Sequence, residues 1–226
     1  MSNPPVTEVC FLPLQPGADV ENPSSPTGII LADALKTVQA QPGYQRAYSG
    51  RSIESPDRFY LLVDWETITS HHNFMASPTY GPFVAALGPL VSGPPTVFHA
   101  AFKPSPPTPA VSNTSSPVTE VVTFYLPAST TAAQKESWDK DWAAFSAEIA
   151  KADGVAAGMI GGWVVEEQER ADVEGGKAIA FQGVIGWQSV EAHLKYKETD
   201  AFKKYIAPLR EQWKSVDLYH VSFTQH

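Results

Sequence analysis

Apolar and polar residues alternate along Val6-Thr7-Glu8-Val9-Cys10-Phe11-Leu12, the period of two expected of a strand. From Thr27 the period lengthens: Leu31, Leu35 and Val38 share one helical face, and Pro42-Gly43 stops the helix. A second strand is predicted over 44–54 and a third over 58–65. In the third, Phe59, Leu61, Val63 and Trp65 lie on one face and Tyr60, Leu62 and Asp64 on the other. Thr67 is placed to cap a helix that begins at Ile68 and breaks before Pro78. Ser77 is expected to cap a second short helix with Pro78 at its first position and Phe83, Val84 and Leu87 as its buried stripe. A fourth strand is predicted over 96–102.

The same order then recurs. Val118-Thr119-Glu120-Val121 repeats Val6-Thr7-Glu8-Val9 letter for letter. A strand over 118–126 precedes a helix over 131–151, on which Trp138, Trp142, Phe145 and Ile149 fall at steps of four, three and four. Strands are predicted over 155–166 and 178–187, with an acidic loop between them. Ser189 and Thr199 cap two further helices, and 217–224 is the last strand. Each half reads β-α-β-β-α-α-β, a ferredoxin-like α+β plan with its last helix broken in two. Three segments follow: a first repeat over 1–103, a linker rich in Pro, Ser and Thr over 104–117, and a second repeat over 118–226. The linker has almost nothing to bury. A four-stranded sheet of this type has helices on one face only. Two tandem repeats are therefore expected to cover each other's bare face and close into one pseudo-dimeric α+β barrel.

Composition narrows the partners. Of 226 residues, 43% are apolar, enough for a core, and only 18% are charged, which argues against disorder. The formal net charge is −8 and no Lys/Arg cluster appears, so neither nucleic acid nor an anionic membrane is an expected partner. Cys10 is the single cysteine, which suits a reducing compartment. Met1-Ser2-Asn3-Pro4-Pro5 does not read as a secretory signal, and no apolar run approaches the roughly 18 residues of a membrane span. A cytoplasmic protein is expected.

Trp65, Thr67, His71, Ser77 and Tyr80 form one pattern, and Trp187, Ser189, His193, Thr199 and Phe202 repeat it. By this pattern each half resembles the dimeric α+β barrel proteins, a superfamily that includes antibiotic-biosynthesis monooxygenases, EthD-like proteins and stress-responsive barrel proteins. The chain is similar to tandem-repeat fungal members over nearly its whole length outside the linker. The resemblance implies a pocket for a small apolar or aromatic molecule between sheet and helices. It implies a cofactor-independent monooxygenase or cyclase acting on an aromatic or polyketide-like substrate, or else a non-catalytic ligand-binding or stress-response protein. The family's polyketide cyclase uses a Tyr–His pair on the broken helix. The matching positions here are Phe74 with Tyr80, and Tyr196 with Phe202, so neither half reproduces it. Val84 and Ile206 stand where haem-degrading members place their iron ligand, so haem is not expected either. The two repeats would form an intramolecular pseudo-dimer, with further homodimerisation left open.

Among candidate proton carriers, His99 and His220 sit mid-strand among apolar residues and lead the list, with His71, Tyr60 and Asp64 beside them. The alternative for His71 and His193 is packing against the Trp that ends the preceding strand. Tyr80, Trp65, His193, Phe202 and Trp187 are the candidate substrate contacts. Tyr44, Arg46 and Tyr48 are expected to share a face of the second strand, making the first half the more polar one. His71 and His72 are adjacent on a helix and point about 100° apart, so they do not converge on a metal. No cofactor and no metal are expected.

Overall fold

Residues 4–111 and 114–226 are described in the computed structural model. Residues 1–3 of the N-terminal stretch and residues 112–113 of the expected linker lie outside the described residues. The first repeat runs β1 (Val6–Pro13), α1 (Pro26–Gln39), β2 (Tyr44–Arg51), β3 (Arg58–Trp65), α2 (Ile68–Met75), α3 (Tyr80–Leu87) and β4 (Thr96–Lys103). A helical turn, α4 (Thr108–Val111), follows. The second repeat runs β5 (Val118–Pro127), α5 (Ala132–Ile149), β6 (Val155–Val164), the short β7 (Gln168–Glu169), β8 (Lys177–Trp187), α6 (Val190–Lys197), α7 (Asp200–Arg210) and β9 (Ser215–Val221), with a final β10 (Thr224–Gln225). Both repeats thus follow the β-α-β-β-α-α-β plan.

The chain divides into two compact units, Met1–His99 with Thr224–His226, and Ala100–Phe223. In the first, the sheet order is β2-β3-β1-β4, with β10 added outside β2. β1 and β3 are antiparallel, with Val6 opposite Trp65 and Pro13 opposite Arg58. Val6, Cys10, Leu12, Phe59, Val63 and Trp65 face the helices and pack with Leu31, Leu35 and Phe74 in one apolar cluster. In the second unit the order β6-β8-β5-β9 is the same, and the end of β4 (Ala100, Ala101, Phe102, Lys103) pairs with β6.

Local chemistry explains where the elements begin. Ser25 is the cap of α1; its hydroxyl accepts the Gly28 amide at 2.8 Å, which leaves Pro26 at the first helical position. Thr67, Ser189 and Thr199 cap their helices as the pattern predicts. Thr131 and Gln134 form a reciprocal capping box at the start of α5. Its Trp138 and Trp142 then pack against Phe181, with ring centroids 5.4 and 4.8 Å away. Gly43 and Gly154 take equivalent positive-φ turns, at 85° and 83°.

Four expectations change. The helix predicted from Ser77 begins at Tyr80, without a side-chain cap, because Ser77-Pro78-Thr79 forms a turn instead. Its stripe is not buried: Val84 is 44% exposed and Phe83 and Leu87 are half-buried, because α3 roofs a cavity rather than the core. A register shift between Tyr44 and Arg46 turns Tyr44 onto the helix side against Trp65, so it does not share the face of Arg46. The segment between the repeats also buries more than its composition suggests. Ala110 and Val111 are fully buried, and Thr119 Oγ1 donates to the Ala110 carbonyl at 2.6 Å. No helix among the described residues is long and apolar enough to cross a membrane.

Within β6, Gly161 leaves room for the Phe181 and Trp142 rings and Gly162 for the backbone of β4. A Cβ on Gly162 would lie 2.2 Å from the Ala101 carbonyl oxygen. Gly162→Ala is expected to lower the unfolding free energy by about 2 kcal/mol, since a backbone must move. Gly81→Ala, in open space on α3, is expected to raise it by up to about 1 kcal/mol. Denaturant titration of both variants measures the contrast.

Candidate functional site

Strand alternation puts Glu8 on the helix-facing side of β1, between Val6 and Cys10. A carboxyl placed in such surroundings needs partners. Trp65, at the end of β3, donates its indole N–H to Glu8 Oε2 at 2.9 Å. Thr67 then starts α2, and one turn later His71 stacks on the Trp65 indole, with centroids 5.1 Å apart and planes 12° apart. His71 Nε2 is 3.5 Å from the same Glu8 oxygen. Its Nδ1 shares a 2.7 Å hydrogen bond with His99 Nε2 on β4.

The second repeat builds the same cluster. Trp187 donates to Glu120 Oε2 at 2.9 Å, and His193 stacks on Trp187 at 5.0 Å and 22°. His193 Nε2 is 3.3 Å from Glu120 Oε2, and its Nδ1 shares a 2.7 Å bond with His220 Nε2. Glu120 and His220 stand opposite each other on β5 and β9. In both repeats one carboxyl and two imidazoles are therefore in line, behind an indole that fixes the carboxyl.

Burial pushes both carboxyls up. Glu8 is raised above its ordinary value, against the pull of the Trp65 bond and of His99. Glu120 is pushed up to about 7 by burial, opposed by the Trp187 bond and the charge of Lys197. The Cys10 thiol is raised well above its ordinary value by burial and then by Glu8, which leaves it a poor nucleophile.

Each carboxyl opens onto an apolar cavity inside its own repeat. The first, of about 110 Å³, is lined by Glu8, Cys10, His71, Phe74, Tyr80 and aliphatic side chains of α1, β3 and α3. The second, of about 150 Å³, is lined by Glu120, Trp187, His193, Tyr196, Phe202, the aromatic face of α5 and the cations Lys197 and Arg210. The Trp187 and His193 contacts of Glu120 are both made by Oε2, and the carboxyl lines the cavity. A carboxyl with a value near neutrality, backed by imidazoles in an apolar cavity, can take a proton from a ligand and pass it inward.

A family model described as antibiotic biosynthesis monooxygenase matches residues 30–86, which carry α1 through α3. An anthrone oxidase-like protein is similar in structure over 100% of this chain and 94% of its own, with a TM-score of 0.67 at 11% identity. A monooxygenase candidate from Lactobacillus acidophilus NCFM covers 99% of this chain and 96% of its own, with a TM-score of 0.61 at 13% identity. An antibiotic biosynthesis monooxygenase candidate from Bordetella bronchiseptica is 30% identical over 43% of this chain and 95% of its own, with a TM-score of 0.37. Residues 30–86 thus carry a match to the antibiotic biosynthesis monooxygenase domain, and the chain as a whole has the α+β fold of these structural neighbours. A comparison with curated proteins finds no match.

The structure places the expected site residues as follows. His71, Tyr80, His193, Phe202 and Trp187 line the cavities. Trp65 does not line the first cavity; it holds Glu8 from behind. His99 and His220 stand one bond further back, each behind the helix His of its own repeat, and do not line the cavities. The packing role weighed for His71 and His193 is real as well, since both stack on their Trp. Tyr60 and Asp64 lie on the face of β3 opposite Leu61 and Val63, which line the first cavity. Asp64 there accepts from Thr7 at 2.5 Å and pairs with Arg46 at 3.2 Å. Glu8 and Glu120 are the cavity-lining carboxyls that sequence reasoning passed over. Their signal was present: a Glu within a repeated Val-Thr-Glu-Val, on the strand face that is otherwise apolar. Among the described residues, no group of three or more His, Cys, Asp or Glu is placed to hold a metal ion.

The raised carboxyl sets a pH dependence. Folded Glu120 holds its proton up to about pH 7, whereas unfolded it releases it near 4.5. The folded state therefore binds more protons across that window, and stability falls as pH rises through it, then levels off. The contribution is about 3 kcal/mol. Glu120→Gln, which keeps an acceptor for Trp187, is expected to flatten this slope. Urea unfolding between pH 4.5 and 8 measures it.

Proposed function

We propose that the second repeat is a cofactor-independent monooxygenase site for an acidic aromatic small molecule of the polyketide type. The observation that carries the reading is Glu120: a buried carboxyl raised to about 7, facing an apolar cavity and backed by His193 and His220. Glu120 takes a proton from a CH₂ flanked by aromatic or carbonyl groups, and His193 and His220 stabilise the proton taken. The carbanion so formed transfers its electrons to dioxygen, giving a peroxide anion on that carbon, and the proton held by Glu120 returns to its outer oxygen to make the hydroperoxide. Loss of the remaining proton from carbon then forms the C=O bond as the O–O bond breaks, and the expelled hydroxide takes up that proton as water. The balance is CH₂ plus O₂ to C=O plus H₂O.

Full-chain likeness to an anthrone oxidase-like protein supports testing anthrones first. A cavity near 150 Å³ holds about one aromatic ring, so a larger body extends through the mouth. Dithranol, an anthrone, is the probe. Oxygen uptake above the uncatalysed rate is expected, rising with pH to a plateau with a midpoint near 7. Glu120→Gln is expected to lose about 100-fold or more and to lose the rising limb. Glu8→Gln is expected to stay within a few-fold of wild type. Binding without uptake, across dithranol and related anthrones, would assign the cavity to ligand binding alone.

A further inference from the structure

The two cavities share their carboxyl, indole and imidazole, yet differ at the mouth. Lys197 ends α6 and Arg210 ends α7, and both line the second cavity. Their positional counterparts in the first repeat are Met75 and Gly88, counted from the matching His71/His193 and Tyr80/Phe202. No Lys or Arg lines the first cavity; its rim is made of Val38, Val84, Leu87, Pro95 and Val97. Among the described residues neither Lys197 nor Arg210 makes a close ion pair, although the charge of Lys197 also acts on Glu120 deeper in the cavity. The nearby acid on β9, Asp217, is already committed to Arg170 at 2.7 Å and to the Tyr125 hydroxyl.

Burial orders these groups along the cavity. Glu120 is buried, Lys197 is half-buried and Arg210 is exposed, so the carboxyl marks the closed end and the cations the open one. Apolar walls between them, from Phe124, Trp142, Ile149 and Ile206, would hold the body of a ligand. Two cations beside such a wall attract an anion more strongly than they would in open water.

We infer that the second cavity selects an amphipathic carboxylate, with an aromatic or alkyl body inside and its anionic group between Lys197 and Arg210, whereas the first cavity selects neutral apolar molecules. This rests on taking the second cavity as the substrate site, but binding is measured without turnover, so failure of the chemistry and failure of the charge selection are separable. Trp142, Trp187 and Trp213 line the second cavity, whereas Trp65 stands behind the lining of the first, so tryptophan fluorescence of the Trp65→Phe variant reports on the second.

The test titrates the whole protein carrying Trp65→Phe with 4-ethylbenzoate and with 4-ethylbenzamide at pH 7.5. The acid is expected to bind at least tenfold more tightly than the amide and to weaken as KCl rises from low to high ionic strength. The double variant Lys197→Met/Arg210→Gln is expected to lose at least tenfold for the acid while keeping the amide within about twofold, which also shows an intact cavity. Equal affinity for acid and amide, an unchanged acid affinity in the variant, or no fluorescence response to either ligand overturns the inference. Selective acid binding with no oxygen uptake on anthrones would overturn the oxygenase reading alone.

Discussion

A carboxyl set in an apolar sheet face is the constraint around which each repeat is built. Alone, Glu8 or Glu120 would cost several kcal/mol to bury in charged form. Its Oε2 is instead held between an indole N–H and an imidazole nitrogen, at 2.9 Å and at 3.3 to 3.5 Å. The indole comes from the end of β3 or β8, and the imidazole from the first turns of the helix that follows. One oxygen atom thus fixes where a strand ends and how the next helix is rotated. The second His, on β4 or β9, fixes the ring of the first. A cluster able to move a proton is also the fastening of helix to sheet, and substitutions there will change both properties.

Duplication kept this fastening and altered what surrounds it. α7 is amphipathic, burying Ile206 and Leu209 while Lys203, Lys204 and Arg210 face water. α3, its counterpart, carries no charge and buries no residue fully. The second cavity is walled by the aromatic side chains of α5, whereas aliphatic residues of α1 wall the first. Equivalent carboxyls therefore sit in unequal surroundings, and the repeats differ in what they can admit more than in the proton chemistry they share.

The sequence made the elements legible because hydrophobic period and capping agree in both copies. Thr67, Ser189 and Thr199 are placed by the same physics wherever they occur. Faces were read correctly where strands are regular, as for Phe59, Leu61, Val63 and Trp65. They failed where a bulge intervenes, because the extra residue before Arg46 turns Tyr44 over and nothing in the local pattern marks it. The His pairs joined residues 28 and 27 positions apart, a contact that periodicity cannot supply. Tyr60 and Asp64 were chosen for their chemistry, although alternation with Leu61 and Val63 already put them on the far face. Glu8 and Glu120 were passed over for the opposite reason: a charged residue in a strand reads as solvated unless its face is followed through.

The joint between the repeats is packed rather than slack. Ala110 and Val111 are fully buried, and Ser116 fills the space above Gly186, where even a Cβ would lie 2.0 Å from its hydroxyl oxygen. These residues belong to the interior of the second unit, so the connection cannot be lengthened, shortened or replaced there as a free spacer could; its sequence is constrained by packing, and a change in it is felt as a core substitution.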